Sequence, residues 1–158
     1  METETAAPWL SDAEQCAWRT HLDVNRLLTH QLEKDLQPFG LTMNDYEILV
    51  NLSESEERRM RMSDLAAATL QSKSRLSHQI TRMETAGLVQ REHCESDRRG
   101  LFAVLTDLGM ETMQRVSPQH VASVRKHFID LLSPEALADL RKALDPVAEH
   151  LRGHRGKL

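Results

Sequence analysis

A mainly α fold with a small β component (α+β) is expected from three features of this 158-residue chain. Apolar residues recur three and four apart over most of its length, as in helices that bury one face. Two short apolar runs, Leu88-Val89 and residues 101–105, flank the charged Glu95-Ser96-Asp97-Arg98-Arg99-Gly100 and have the length of strands. Three Phe, one Tyr and two Trp leave a core made mainly of Leu, Met, Val and Ala, which suits helices. Two helices joined by a tight turn and followed by a hairpin make a winged helix-turn-helix. It occupies residues 42–105, between long helices at 11–40 and 106–152.

The elements follow in chain order. Residues 1–10 precede the first cap. Ser11 and Glu14 have the spacing of a capping box for a long helix. Trp18, Leu22, Leu28, Leu32 and Leu36 keep roughly to one side of it, and it stops near Pro38-Phe39-Gly40. Thr42 with Asp45 opens a second helix, whose inner face is Tyr46, Leu49 and Val50. Residues 53–59 form a charged connector, and Met60-Arg61-Met62 alternates as a short strand does. Ser63 is the expected N-cap of the third helix, with Leu65, Ala66 and Leu70 as its apolar face. Residues 71–74 make the turn, and Ser72 or Ser74 caps the fourth helix. There Leu76, Ile80 and Met83 must face a core, and Gly87 supplies the C-terminal stop. Beyond the hairpin, Thr106 caps a helix through Leu108, Met113 and Val116, which Pro118 either kinks or breaks. Apolar spacing resumes at Val121, Val124, Phe128 and Leu131. Ser133-Pro134 opens the last helix. Its residues Leu137, Leu140, Leu144, Val147 and Leu151 form a coiled-coil-like seam.

The fourth helix carries the functional signal. With Leu76, Ile80 and Met83 inward, Ser74, Ser77, His78 and Thr81 lie on the opposite side or its flank, bordered by Lys73, Arg75 and Arg82. This face has hydroxyls, an imidazole and long cations, and no carboxylate before Glu84. Serine and histidine approach base edges closely, while arginine and lysine bind guanine or phosphate. An ordinary solvated face interleaves acids with bases, and this one does not. Ser72, Lys73, Ser74, Arg75, Ser77, His78 and Arg82 are therefore candidate DNA contacts. In the hairpin, Arg99 beside Gly100 is expected at or near the tip. A long cation on a thin loop suits a narrow, negative minor groove. Asp97 is expected to brace the Arg99 guanidinium, and Arg98 to meet phosphate. The alternative is a solvated turn whose Asp–Arg pair contributes under ~1 kcal/mol.

Net charge, −4 overall, is unevenly distributed. Residues 1–57 carry −9, residues 58–99 carry +4 and residues 100–158 carry +1. Positive charge concentrated in the helix-turn-helix of an acidic protein implies oriented docking on phosphate. The first, fifth and sixth helices carry more apolar surface than one winged helix needs. A homodimer would bury the excess and set two recognition helices about 34 Å apart, in successive major grooves. An intramolecular helical subdomain is the alternative.

Four motifs carry a resemblance: Met62-Ser63-Asp64-Leu65-Ala66; Arg82-Met83-Glu84-x-x-Gly87-Leu88-Val89-x-Arg91; Asp97-Arg98-Arg99; and Leu105-Thr106-x-x-Gly109. They resemble the winged helix-turn-helix of the MarR family of bacterial transcription regulators, and the likeness extends over nearly the whole chain. The resemblance implies a homodimer formed by the first and last two helices, a third short strand in the wing sheet, and an Asp and Arg in the wing with the roles given above. It also implies an operator-binding regulator, usually a repressor released by a small ligand. Some relatives sense peroxide through a first-helix cysteine. Here Trp18, not Cys16, falls near that position, and the only tyrosine is Tyr46, so a buried or half-buried free thiol is expected.

Other classes find little support. The chain has no glycine-rich phosphate loop, zinc-protease helix motif or nucleophile elbow, so no enzymatic activity and no cofactor are expected. The histidines and two cysteines form no ligand-spaced motif, so no metal is assigned. No apolar run approaches the ~20 residues of a membrane span, and the acidic N-terminus is unlike a signal peptide, which points to the cytoplasm. Trp18, His21, Leu22 and Asn25 of the first helix, with Tyr46 of the second, have the composition of a small-effector pocket and equally that of plain core. A metal- or thiol-dependent sensor and a helical protein-interaction module that binds no DNA remain as alternatives.

Overall fold

The structure is a computed structural model in which residues 8–154 are described, with the side chains of Arg98 and Arg99 excepted. Its elements are α1 (Asp12–Leu36), α2 (Met43–Glu54), β1 (Arg59–Arg61), α3 (Met62–Ala68), α4 (Lys73–Thr85), β2 (Val89–Cys94), β3 (Asp97–Leu105), α5 (Asp107–His127) and α6 (Pro134–His154). The mainly α reading with a small sheet holds. The sheet is antiparallel, in the order β1-β3-β2, with Arg61 opposite Phe102 and Val89 opposite Leu105.

Capping explains most boundaries. Ser11 and Glu14 close a reciprocal box at α1, and Thr42 with Asp45 does the same at α2. Ser72 caps α4, accepting from the Arg75 N–H at 3.3 Å. Gly87, at φ +76°, ends α4 in a Schellman turn, with Leu88 N–H on the Met83 carbonyl and Gly87 N–H on that of Glu84.

Four expectations are corrected. Ser63 does not cap α3: the helix starts at Met62 with Arg61 as N-cap and no side-chain bond there, because the chain enters it directly from β1. Leu70 is not on the apolar face of α3. The helix stops at Ala68, and Leu70 takes the left-handed position of a Schellman turn at φ +55°, leaving its side chain 74% exposed. The hairpin turn is at Glu95-Ser96, so Arg99 lies within β3 and not at the tip. The wing strands extend through polar residues paired across the ladder, with a register shift at His93/Cys94, and hydropathy does not mark them. Cys16 is exposed, since the first half of α1 touches little else in this chain.

Pro118 breaks nothing: α5 runs through it. The core joins Leu36 of α1, Ile48, Leu49 and Leu52 of α2, Leu65 of α3, Leu76, Ile80 and Met83 of α4, Ala103 and Leu105 of β3 and Val116 of α5. Two close contacts fix α5 against the end of α4. Thr106 Oγ1 lies 2.6 Å from the Gly87 carbonyl and 3.0 Å from that of Leu88, and accepts from the Gly109 N–H at 3.0 Å. A Cβ on Gly109 would sit 2.1 Å from the Leu88 carbonyl oxygen, which explains why glycine stands in Leu105-Thr106-x-x-Gly109.

Candidate nucleic-acid interface

Helix α4 is held from behind and from one side, and its first two turns stand clear. Leu76, Ile80 and Met83 are buried, while Ser72, Lys73, Ser74, Arg75, Ser77 and His78 are all exposed. The sequence brings six of its seven helix candidates onto one contiguous surface because α4 starts at the turn and inserts only its every third or fourth residue into the core.

Arg82 is differently placed. Its Nη2 lies 2.6 Å from Oδ1 of Asp45, which is 3% exposed. The same oxygen accepts from Gln79 Nε2 at 3.0 Å, and Oδ2 accepts from the Thr42 N–H at 2.9 Å. One buried carboxylate therefore caps α2 and ties α4 to it. A charge so deep is tolerated only with this complement of donors. Nearby, Glu33 of α1 accepts from the Met43 N–H at 3.3 Å, joining α1 to the same corner.

The wing is fastened to α4 by Arg91. Its guanidinium pairs with Glu84 and donates to the Ser77 carbonyl at 2.7 Å, Ser77 Oγ at 3.1 Å and Thr81 Oγ1 at 3.1 Å. The Arg91 N–H adds a bond to Glu84 at 2.8 Å. This gives the spacing Glu84…Arg91 a mechanical meaning: it ties the hairpin to α4.

Asp97 sits at the start of β3, with Oδ2 3.7 Å from Arg61 Nη1. Arg98 and Arg99 have strand backbones, and their side chains lie outside the described residues. Cys94, buried at the end of β2, has Ser96 Oγ 3.1 Å from its sulfur. That hydroxyl, the Ser96 and Asp97 N–H groups and the Arg61 charge hold the thiol below its ordinary range, against a smaller opposing effect of burial.

The five candidate effector residues do not form one cluster. Trp18 stacks on His21 at 5.9 Å and His21 bonds Asn25 at 3.3 Å along the exposed half of α1, with Leu22 also exposed. His21 and Asn25 border an apolar groove of about 780 Å³ between α1 and α6, reaching Phe128, Leu140 and Leu144. Tyr46 lies elsewhere, buried against α5, donating to Ser117 Oγ at 3.1 Å with its ring 4.4 Å from that of His120. Half-burial of His120, whose Nδ1 has no partner among the described residues, holds its pKa below the ordinary histidine value.

Asp45, Gln79, Glu84 and Arg91, and Arg61 of β1, escaped the sequence reading as site residues. The signal is slight: Asp45 reads only as a cap, and nothing in the local pattern marks Gln79. Their partners lie 34 and 37 residues away for Asp45, a distance no local pattern spans.

Among the described residues no helix is long and apolar enough to cross a membrane, and no group of three or more His, Cys, Asp or Glu is placed to hold a metal ion. The MarR family model matches residues 39–100, from the turn after α1 into the wing. The regulator PecS of Dickeya dadantii is 31% identical over 136 residues, 84% of this chain and 80% of that protein. Among solved structures, AbsC, a MarR family transcriptional regulator from Streptomyces coelicolor, is 81% identical over 93% of this chain and 99% of its own, with a TM-score of 0.89. Sco3205, a MarR family regulator from the same organism solved in complex with DNA, is 42% identical over 94% of this chain and 93% of its own, also at 0.89. A closed lobe with an exposed α4 and a wing latched to it agrees with these matches, and the chain belongs to the MarR family of transcriptional regulators.

Proposed function

We propose that the protein binds a pseudo-palindromic operator as a homodimer and represses transcription, with α4 in the major groove and the wing in the adjacent minor groove. In this reading residues 42–105 are the DNA-binding lobe, and residues 11–40 and 106–152 form the dimer. The exposed stretch Ser72–His78 carries the reading, because a helix start free of acids and braced by Asp45 and Arg91 is suited to entering a groove without deforming. Ser77 accepts from Arg91 and keeps its hydroxyl proton for a base acceptor. His78 and Arg75 read bases or phosphates, Arg98 meets phosphate, and Arg99 enters the minor groove. Arg82 acts through Asp45, as a positioning residue for α4. The DNA complex of the 42%-identical Sco3205 supports the duplex as partner.

The second copy is supported by Trp18, Leu22, Val24, Leu27, Val147 and Leu151, apolar residues left exposed on α1 and α6. Release by a small ligand completes the regulation: such a ligand must favour one spacing of the two α4 helices over the other, since equal affinity shifts nothing.

Selection of bound duplexes from random-sequence DNA tests the reading. The expected result is a two-fold symmetric consensus with half-sites about one helical turn apart, changed by the joint replacement Ser77→Ala with His78→Ala. No recovered consensus, with equal weak binding to all duplexes, would refute sequence-specific regulation.

A further inference from the structure

A cleft of about 360 Å³ separates the recognition helix from the wing. It is bordered by Arg61 and Ser63 at the junction of β1 and α3, Lys73 and Leu76 of α4, and Asp97 and Gly100 of β3. Among the described residues three cations face it against one carboxylate, and one of them, Arg91, is engaged by Glu84 and the α4 hydroxyls. That leaves Lys73, exposed at the first position of α4, and Arg61.

Arg61 is set in place with some care. Its guanidinium lies 3.7 Å from Asp97, donates to the Cys94 sulfur at 3.5 Å and sits 5.4 Å from the centre of the Phe102 ring. Gly100 makes the room: a Cβ there would stand 3.1 Å from Arg61 Nη1 and 3.2 Å from Asp97 Oδ2. The side chain is still 41% exposed, so its charge reaches solvent in the cleft.

The geometry of the duplex supplies the rest. One sugar-phosphate strand divides a major groove from the neighbouring minor groove. A protein with α4 in one and the wing in the other must pass that strand through the gap between them. We propose that this cleft seats a backbone phosphate of the dividing strand, with Lys73 and Arg61 as its counter-charges and the Ser63 hydroxyl as a donor. Arg61 also pairs with Asp97, so the carboxylate that borders the cleft is held beside a cation. The inference rests on the groove assignment of the proposed function and adds Arg61 and Ser63 to the DNA-binding residues.

The test uses a duplex recovered by selection with the unaltered protein. Lys73→Gln and Arg61→Gln should together lower the slope of log affinity against log salt by about 0.9, each alone by part of that, and leave the selected consensus unchanged. Because Arg61 also packs in the wing, the exposed Lys73 variant is the control for misfolding. A methylphosphonate scan of the same duplex then locates the contact. One neutral linkage between the two contacted grooves should weaken binding by the unaltered protein and add no penalty in the Lys73→Gln, Arg61→Gln double variant. Undiminished slopes, or a methylphosphonate penalty that persists in the double variant, would overturn the assignment. Preferential displacement of DNA by inorganic phosphate over chloride at equal ionic strength, lost in Lys73→Gln, would make this a free-anion site and would also overturn it. Failure of the unaltered protein to bind any duplex would instead sink the DNA reading itself.

Discussion

The winged lobe and the helical arms of this chain use the same apolar residues to different ends. In the lobe, Ile48, Leu49, Leu52, Leu65, Leu76 and Ile80 are fully buried, and a polar shell of Asp45, Arg82, Glu84 and Arg91 locks the surface elements together. In α6 no residue is buried, and Leu151 is 60% exposed despite its place in a regular seam. The lobe closes its core within one chain. The arms do not. Helical periodicity states only that a face must be covered, and what covers it is a separate question.

Replacing Leu144, on the groove between α1 and α6, with Asp should strike the arms and spare the lobe. A carboxylate there stays solvated in a single chain and is desolvated against a second copy. Loss of bivalent engagement should lower operator affinity by about 10²–10⁴-fold, with helix content kept. Sedimentation equilibrium and a binding titration check this, and an intact dimer with full affinity would remove α6 from the interface.

The converse change, Ile80→Ala, should cost about 2–5 kcal/mol of stability through the cavity left beneath α4. Chemical denaturation reads the loss. A cost below about 1 kcal/mol would mean that the lobe core is not closed as described.

Asp45→Asn separates the polar shell from the core. The buried site loses a charge-assisted bond to Arg82, which should cost about 1–3 kcal/mol and reduce operator affinity. Arg82→Gln should do likewise with the salt slope unchanged. A slope reduced by about 0.9 would show that Arg82 binds phosphate after all.

The smallest effect lies where lobe and arm meet, at His120. Its folded pKa is depressed by burial, so the unfolded chain binds the proton more readily. Stability should therefore be full above about 6.5, the ordinary value, and fall as pH drops through it toward the lower folded value. Melting curves of the parent and His120→Gln proteins over this window should diverge, with the variant lacking this component. Parallel curves would show that His120 is not linked to folding.

Periodicity and caps made much of this fold legible. The inward face of α4, the Ser11, Thr42 and Thr106 caps and the Gly87 stop are local features, each determined within a turn or two of helix. By contrast, of the expected α1 face only Leu32 and Leu36 are buried, and on α2 the fully buried Ile48 falls outside the expected face. The exposure of the α4 candidates was legible on local grounds, since fixing Leu76, Ile80 and Met83 inward fixes Ser74, Ser77 and His78 outward. The wing was less so. Its strands are solvated and polar, so hydropathy marks all of residues 95–100 as the connection, with Arg99 at or near the tip, whereas ladder pairing puts the turn at Glu95-Ser96.

By itself, then, the sequence determined which residues lie on one side of a helix and where helices start and stop, because those depend on neighbours three or four positions away. The tertiary structure alone decided what each long side chain grips. Arg82 reaches Asp45, Arg91 reaches Ser77 and Glu84, Arg61 reaches Asp97, and Tyr46 leaves the first-helix cluster for Ser117 and His120. A hydrogen bond forms where the packed backbone brings donor and acceptor within about 3 Å, and an ion pair within about 4 Å. Those distances are set by how distant segments cross, and local sequence does not encode them.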